Sequence, residues 1–590
     1  MCGIFALLNI KNATKSVDKE KIMKQFMKGQ GRGPEKSVLK YDEDNVFGFH
    51  RLAINGFQKD SSEQPIYIDD CMLICNGEIY NYKELHKKLD IECKTLSDCE
   101  IIIHLYKRFG IQYCLQLLDG VFAFALVDFH KKEIILARDT YGVRPLYISG
   151  SNWEEKLPFR MVNKNNRTIK TMFGFASEMK QLVGCYEELR KGEKYVIKQF
   201  KPGNYITIKN NIVSDYTQFG APNSIINNSL SVIESKNLIK KSLIEAVEKR
   251  VCNTDRDIAC LLSGGLDSSL VTALVVHISM NKFKKHPSQI HTWSIGMKGS
   301  EDLKYAKMVA DYLKTTHHNI ELDEKEFLEA IEEVIYTIES YDTTTVRASV
   351  GNWLISKYIR NNSNAKVIFN GDGSDEVTGG YIYFNNAPNE YEFDKECRRL
   401  LEDIHLFDVL RSDRSISSHG LEPRTPFLDR NFVQTYLSIP ANIRSQNQQN
   451  RCEKYLLRET FEDMNILPLK VLWRTKEAFS DGVSKSTKSW FEVIQDYASE
   501  KLNIENRKEA ENKYYQNIYF KYFGNNKSIP YKWMPKFVES NDASARTLEC
   551  YNVTFCPRCM GSGLINNIKG NDNLQKFIEC NLCKGSGKKN

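Results

Sequence analysis

Apolar residues in the first third of the chain fall in short continuous runs, Cys71 to Ile79, Val121 to Phe129 and Glu133 to Ala137. They alternate too little with polar residues for a sheet with one wet face. The pattern predicts a strand-rich region from residue 1 to about 200, with its sheet covered on both sides. Segments of helical spacing near Asp18 to Gly29, Asn81 to Leu89 and Asp98 to Phe109 are the predicted cover. The stretch Thr207 to Asn228 is polar, rich in Asn and Ser and without a steady period, which predicts a linker. Beyond it helices dominate, interrupted by strands predicted at Ile258 to Leu262, Ile290 to Ile295 and Lys366 to Asn370, each ending in a Gly-rich or polar turn. That alternation predicts a parallel sheet with helices on both faces. From about Ala545 cysteine and glycine rise and large apolar residues thin out, predicting a small separate module. The expected boundaries are 2–200 for the first domain, 201–228 for the linker, 229–548 for the second domain and 551–590 for the module.

Composition narrows the class of function. A chain of 590 residues, 41% hydrophobic and 27% charged, is too long for one ordinary core, so two or three domains are expected. Its 82 basic against 75 acidic residues leave a net charge of +7, small for the surface, which argues against a strongly electrostatic nucleic-acid binder. No apolar run approaches the ~18 to 20 residues of a membrane span, and the start Met1-Cys2-Gly3-Ile4-Phe5 lacks the features of a signal peptide. A soluble cytoplasmic protein is expected. Of its sixteen cysteines most stand singly in apolar stretches, while four form two C-x-x-C pairs near the end. In a reducing compartment these read as buried thiols plus one metal site, leaving Cys2 to explain.

Removal of Met1 exposes Cys2 with a free α-amino group. That amine, with a pKa near ~8, can take the thiol proton and turn Cys2 into an attacking thiolate. Acyl transfer also needs donors for the tetrahedral oxyanion and a clamp for the substrate's charged end. Asn76-Gly77-Glu78 follows a predicted strand, offering a side-chain amide and a backbone N–H. Arg51 and Asp98 supply the opposite charges that a zwitterionic amino acid requires. The set Met1-Cys2-Gly3-Ile4-Phe5, Arg32-Gly33-Pro34, Arg51-Leu52, Asn76-Gly77-Glu78-Ile79-Tyr80-Asn81 and Ser97-Asp98 resembles the class II, amino-terminal nucleophile (Ntn) glutamine amidotransferases. The resemblance implies an αββα sandwich with Cys2 as nucleophile and Asn76 and Gly77 as oxyanion hole. It also implies that Arg51, Leu52, Ile54, Asn76, Gly77, Glu78 and Asp98 bind glutamine. Glu35 stands where that family usually has aspartate after Arg-Gly-Pro, and Leu96 where it has glycine or threonine.

Leu261-Leu262-Ser263-Gly264-Gly265-Leu266-Asp267-Ser268-Ser269 lies between an apolar strand and the apolar helical run Leu270 to Ile278. A strand entering a Gly-Gly turn and then a helix directs backbone and serine donors at an anion. No Gly-Lys-[Ser/Thr] follows, so transfer of a γ-phosphoryl group is not implied. A second acidic cluster, Gly371-Asp372-Gly373-Ser374-Asp375-Glu376, follows another strand, and carboxylates at adjacent strand ends converge in the crevice of such a sheet. The Ser-Gly-Gly string resembles the pyrophosphate-loop (PP-loop) ATP family, which splits ATP between its α and β phosphates. The implied domain is a parallel-sheet α/β fold of the adenine-nucleotide α-hydrolase-like kind.

With Tyr341-Asp342-Thr343-Thr344-Thr345-Val346-Arg347, His419-Gly420-Leu421-Glu422-Pro423-Arg424, Pro426-Phe427-Leu428-Asp429 and Trp473-Arg474-Thr475-Lys476-Glu477-Ala478-Phe479-Ser480-Asp481-Gly482, the chain is similar to the glutamine-hydrolysing asparagine synthetases up to about Leu548. The resemblance implies that ATP activates aspartate as β-aspartyl-AMP, and that ammonia from the first site reaches it through an intramolecular tunnel. It places Leu262, Ser263, Gly264, Gly265, Asp267, Ser268, Ile295, Asn370 and Gly371 on ATP, and Asp267 and Asp375 on Mg²⁺. Thr344, Arg347 and Asp372 fall at the aspartate and adenylate site, with Lys476 on the leaving pyrophosphate, and a homodimer is implied. The family's motif is usually Ser-Gly-Glu-Gly-Ser-Asp-Glu, with its first glutamate credited with forming the adenylate or accepting ammonia's proton. Here Asp372 holds that place, after Asn370. One methylene less moves a base by about 1 Å, enough to cost ~100-fold in rate. A compensating backbone shift is expected, with Asp372→Glu tolerated and Asp372→Asn losing synthesis but not glutaminase activity.

Cys556-Pro557-Arg558-Cys559-Met560-Gly561-Ser562-Gly563 and Cys580-Asn581-Leu582-Cys583-Lys584-Gly585-Ser586-Gly587 share C-x-x-C-x-G-x-G, with twenty residues between Cys559 and Cys580. The spacing suits one tetrahedral Zn²⁺ site of Cys556, Cys559, Cys580 and Cys583, and the glycines permit tight turns around each pair. So short a segment has little core to hold it otherwise. The element resembles the zinc domain of DnaJ-type co-chaperones, in two copies rather than four, and is foreign to the synthetases. Protein binding, dimer support and stabilisation are open roles for it. Two other readings of the chain are a β-lactam synthetase or similar amide-forming relative, and a weakened scaffold whose zinc tail is the working part.

Overall fold

The computed structural model describes residues 2–10, 18–56, 62–151, 169, 172–189, 195–446, 451–475, 482–484, 488–524, 533, 535–537, 564–567 and 576–580. Two antiparallel sheets and one parallel sheet form its framework. In the first sheet the strand Gly3–Leu8 lies centrally, between Phe173–Ala176 and Asn45–Arg51. In the second, Cys71–Ile79, Gly120–Asp128 and Glu133–Arg138 are consecutive neighbours. Their runs are apolar on both faces because each sheet is covered twice. Ile4, Ala6 and Phe49 of the first sheet pack with Ile74, Ala123 and Leu136 of the second. On the outer faces, Phe5 and Leu7 meet Phe26 and Leu182 of the helices Lys19–Met27 and Met179–Leu189. Leu73 and Phe124 meet Leu85, Ile102 and Leu115 of the helices Tyr82–Leu89, Ile101–Phe109 and Ile111–Leu117. The layers run helix, sheet, sheet, helix, and each such fully buried Leu, Ile or Phe contributes about 1.5–3 kcal/mol.

The stretch expected to be linker starts later than the sequence suggested. Asn204–Lys209 pairs with Glu133–Arg138 along its whole length and Thr217–Gln218 pairs with Asn204 and Tyr205, so only the residues after Gln218 leave the sheet. Ile206 and Ile208 are buried and alternate with less buried neighbours, a strand signal masked by the polar residues around it.

The second half is built on five parallel strands in the order Thr316–Leu322, His291–Met297, Ile258–Leu261, Val367–Phe369, Glu422–Arg424. The chain moves outward from Ile258–Leu261 in one direction for two strands, then returns to its other side with Val367–Phe369. A reversal of this kind opens a crevice beyond the carboxyl ends of the two central strands, where ligands bind in such sheets. Both motif loops, Leu262 to Gly265 and Asn370 to Gly373, leave from those ends. The edge strands escaped the pattern: Thr316–Leu322 is polar, and Glu422–Arg424 contains a proline, tolerated at an edge.

The halves meet through buried charge and a shared core. Arg32 donates to Asp413 Oδ2 at 2.8 Å and to Ser417 Oγ at 2.9 Å, with its guanidinium fully buried. Arg424 lies 3.5 Å from Glu78, Lys249 donates to Asp119 at 2.6 Å, and Glu339 accepts from the backbone of Met179 and Lys180. Leu52, Ile54, Tyr141 and Val143 join the core of the second half. No described helix is long and apolar enough to cross a membrane. Near the carboxyl end, Leu564–Asn567 pairs antiparallel with Lys576–Glu579, and Cys580, buried, follows the second strand. Cys556, Cys559 and Cys583 lie outside the described residues.

Candidate active sites

Cys2 immediately precedes the central strand of the first sheet, which fixes its place at the strand's end. Its N–H donates to Asn76 Oδ1 at 3.2 Å, its Sγ–H to the Leu52 carbonyl at 3.5 Å, and its own carbonyl accepts from Arg32 Nε at 3.0 Å. Burial pushes the Cys2 thiol up to about 11, against the pull of the positive amino terminus. The thiol therefore stays protonated near neutrality unless a base takes its proton.

Asn76 sits at the fourth-last position of the Cys71–Ile79 strand with its oxygen committed to Cys2. Its Nδ2 is buried without a hydrogen-bond partner in the protein. An unpaired buried donor costs ~1–3 kcal/mol, and a developing oxyanion beside Cys2 would satisfy it. At Gly77 a Cβ would fall 2.7 Å from the Val121 carbonyl, so only glycine allows the two strands their close approach. Gln64 grips Cys75 at both backbone groups, 2.6 and 3.1 Å, and stiffens this strand end. Glu78 accepts from Asn55 at 3.0 Å, and burial together with Glu422 and Asp98 raises its carboxyl. Asp98 accepts from Ile79 N–H at 2.6 Å, and burial raises it to about 6. Arg51 donates to Ser62 at 2.5 Å, and Leu52 and Ile54 are buried. All seven residues expected to bind glutamine thus lie at or beside the ends of two strands, Asn45–Arg51 and Cys71–Ile79.

The second site is a cavity of about 270 Å³ in the crevice of the parallel sheet. Leu262, Ser263, Gly265, Asp267, Ser268 and Ile295 line one side, and Asn370, Gly371, Asp372 and Asp375 another, with Thr344 and Arg347 also on its wall. Ser263 and Ser268 hydroxyls lie 3.0 Å apart across the loop, and Ser268 Oγ accepts from Ser263 N–H at 3.2 Å. Gly264 adopts φ +75°, and a Cβ there would strike Tyr305 and Ala306 at 2.5 Å. Gly371 is equally constrained, since a Cβ would fall 2.7 Å from Ser268 N. The phosphate loop and the acidic loop are therefore in direct contact.

Asp267 and Asp375, both expected on a metal, converge on Lys454 Nζ at 2.5 and 2.6 Å. Ser374 donates to Asp267 at 2.8 Å. Two carboxylates beside a phosphate loop fit Mg²⁺, which is commonly held by one or two carboxylates plus substrate phosphates. Among the described residues no cluster of three or more His, Cys, Asp or Glu could hold a metal without such help. At Asp372, burial together with Asp408 raises the carboxyl to about 7, against the pull of Arg411. Arg347 presents its guanidinium fork to Glu511, at 2.7 and 2.5 Å, rather than to open space.

Several lining residues carry no sequence signal that singled them out. Lys454 is one, a left-handed residue at φ +56° preceding the helix Tyr455–Glu462. Arg411 pairs with Asp408, which accepts Gly373 N–H at 2.9 Å and ties the acidic loop down. Trp533 reaches the cavity from the far end of the chain, anchored by its N–H on Asp342 Oδ1 at 3.2 Å, with its indole Nε1 buried and unpaired in the protein. Lys476, expected on the pyrophosphate, lies outside the described residues.

A family model described as a glutamine amidotransferase domain matches residues 1–229, and one described as asparagine synthase matches 238–392 and 385–528. The glutamine-hydrolysing asparagine synthetases of Gallus gallus and Mus musculus are each 40% identical to this chain, over 588 and 589 residues. The Homo sapiens enzyme of that name is 39% identical over 577 residues. Each alignment covers 93% of this chain and 99% of the relative.

Proposed function

The chain belongs to the family of glutamine-hydrolysing asparagine synthetases, and from that premise we propose that it makes asparagine from aspartate, glutamine and ATP by two reactions in two sites. The unpaired Asn76 amide beside Cys2 is the observation that carries the first reaction. With Met1 removed, the free amine of Cys2 takes the Sγ proton, and the thiolate attacks the carboxamide carbon of glutamine. Charge on the carboxamide oxygen is met by Asn76 Nδ2 and the Gly77 N–H as the tetrahedral intermediate forms. The Cys2 ammonium returns that proton to the amide nitrogen, neutral ammonia leaves as the thioester forms, and water then cleaves the thioester to give glutamate and regenerate the thiol. Asp98 and Glu78 face the ammonium of glutamine, and Arg51 its carboxylate.

In the cavity, the serine and backbone donors of Ser263 to Ser268 hold the phosphates of ATP. The β-carboxylate of aspartate attacks the α-phosphorus, giving β-aspartyl-AMP and pyrophosphate. Mg²⁺, held by Asp267 and Asp375, supplies neutralisation of phosphate charge when bound. Lys454 is already placed against both carboxylates and follows the charge onto the leaving pyrophosphate, a role shared with Lys476. Ammonia crossing the interface between the halves attacks the acyl carbon, AMP departs, and Asp372, raised towards neutrality, takes the proton.

At the carboxyl end, Cys556, Cys559, Cys580 and Cys583 bind Zn²⁺ in the ~40-residue module. The register Leu564↔Glu579 supports this reading, because it brings the chain just after the first C-x-x-C beside buried Cys580. Truncation after residue 550 is expected to remove bound zinc while sparing both reactions, and sizing the same protein tests the homodimer.

Asparagine and pyrophosphate, assayed with aspartate, ATP and either glutamine or ammonia, test the central reading. Product with both nitrogen donors is expected. No product with either would favour a scaffold whose tail is the working part.

A further inference from the structure

We propose that Asn370 is a positioning residue that holds the shortened Asp372 carboxylate in place, so that the two side chains act as one unit in the synthetase reaction. The inference rests on the reading of Asp372 as the group that takes ammonia's proton.

The acidic loop has little freedom to move its backbone. Its first glycine, Gly371, abuts Ser268 N and Asp267 so closely that a Cβ would fall at 2.7 to 2.8 Å. Gly373 adopts φ +85°, and a Cβ there would strike Leu428 at 2.5 Å. Gly373 N–H is bonded to Asp408, and Asn370 N–H to the Arg424 carbonyl at 3.2 Å. A loop packed before and behind and bonded at both ends cannot slide by the length of a methylene at low cost. The backbone shift expected from the sequence is therefore replaced by a side-chain device.

Asn370 provides it. Its Nδ2 donates to Asp372 Oδ2 at 2.7 Å and to Ser412 Oγ at 2.8 Å, while its Oδ1 accepts Asp372 N–H at 3.4 Å. Both amide hydrogens and the carbonyl are engaged, and Asn370 and Ser412 are buried. The amide thus ties the carboxylate to the helix Asp408–Ser417, which carries Ser412. A serine at 370 would lack the reach of the carboxamide. A glutamate at 372, added alone, would drive its longer side chain against that carboxamide. The pair is matched in length, and each member is ill-suited without the other.

Four chains test this: the unsubstituted enzyme, Asn370→Ser, Asp372→Glu and the double variant. Synthesis is assayed with ammonia as nitrogen donor, and glutaminase turnover at the distant Cys2 site reports that each chain is folded. Misplacement of about 1 Å predicts a ~10- to 100-fold loss of kcat in each single variant, larger than any change in KM for ATP or aspartate. The double variant is expected to recover to within about fivefold of the unsubstituted enzyme, a coupling that a merely structural role would not give. Unchanged kcat in Asn370→Ser, or a double variant no better than the product of the two singles, overturns the proposal. Asp372→Asn run alongside separates the claims, since full synthesis in that chain overturns the proton-acceptor reading itself. If Asn370→Ser lacks glutaminase activity, Asn370→Thr carries the same comparison.

Discussion

The two active sites meet opposite electrostatic problems. Around Cys2 the donor proposed for the oxyanion, Asn76 Nδ2, is left unpaired, and burial keeps the Cys2 thiol protonated. In the cavity the charges are already spent on one another: Lys454 lies on Asp267 and Asp375, Arg411 on Asp408, and Arg347 on Glu511. A site that cleaves a neutral amide can wait with one empty donor, at a cost of a few kcal/mol. A site for a polyanion and a cation needs several buried charges, which would be far more expensive unpaired, so the protein pairs them internally until substrate arrives. Binding in the cavity is then an exchange of partners, whereas binding at Cys2 fills a vacancy.

The sharpest way to break this comparison is to remove the group on which only one site depends. Cys2→Ala is expected to lower glutamine-dependent asparagine formation by ~10⁴-fold or more while leaving the ammonia-dependent rate within about twofold. Equal loss with both donors would mean that the sites are not separable. Lys454→Ala should act the other way, lowering synthesis with either donor by ~10²- to 10³-fold and sparing glutaminase turnover. A change confined to the KM for ATP would assign Lys454 to binding alone. At the interface, Arg32→Ala leaves buried Asp413 only the more distant Arg414 and Arg144, at 3.6 and 3.9 Å, and should cost ~3 kcal/mol, about a hundredfold in the folding equilibrium, read as a lowered denaturant midpoint. No change in midpoint would show that this pair contributes no net stability.

The smallest expected effect is on pH dependence. Burial raises the Asp98 carboxyl from its usual 3.8 to about 6, so its negative charge is expected to be lost as pH falls through 6. If that charge holds the ammonium of glutamine, it steepens the fall of glutaminase kcat/KM below 6 by about a further tenfold per pH unit, beyond the fall that protonation of the Cys2 amine gives below ~8. Asp98→Asn should remove that added steepness and leave a uniformly lower rate. A profile unchanged by that substitution would remove Asp98 from substrate binding.

Much of this architecture was legible in the sequence because the decisive elements are locally encoded. The strand Cys71–Ile79 and the three central strands of the parallel sheet are short apolar runs ended by turns, and both loops that line the cavity follow directly from strand ends. What escaped depends on long-range packing. Asn204–Lys209 was hidden because its inward positions are Asn204, Ile206 and Ile208, only two of them apolar within a polar stretch. Lys454 and Trp533 belong to the cavity through tertiary return of the chain, and neither belongs to a local motif. The Asn370 to Asp372 contact was visible only as an odd pair of residues, since the amide's three bonds depend on Ser412, forty-two positions away.

The claim that the Cys2 site feeds the cavity within one molecule is tested most directly by isotope. Asparagine made from amide-¹⁵N glutamine, aspartate and ATP in the presence of unlabelled ammonium at equal concentration is expected to carry ¹⁵N well above the fraction set by mixing in solution. Asparagine labelled only to the level of the bulk ammonium pool, or unlabelled, would contradict it.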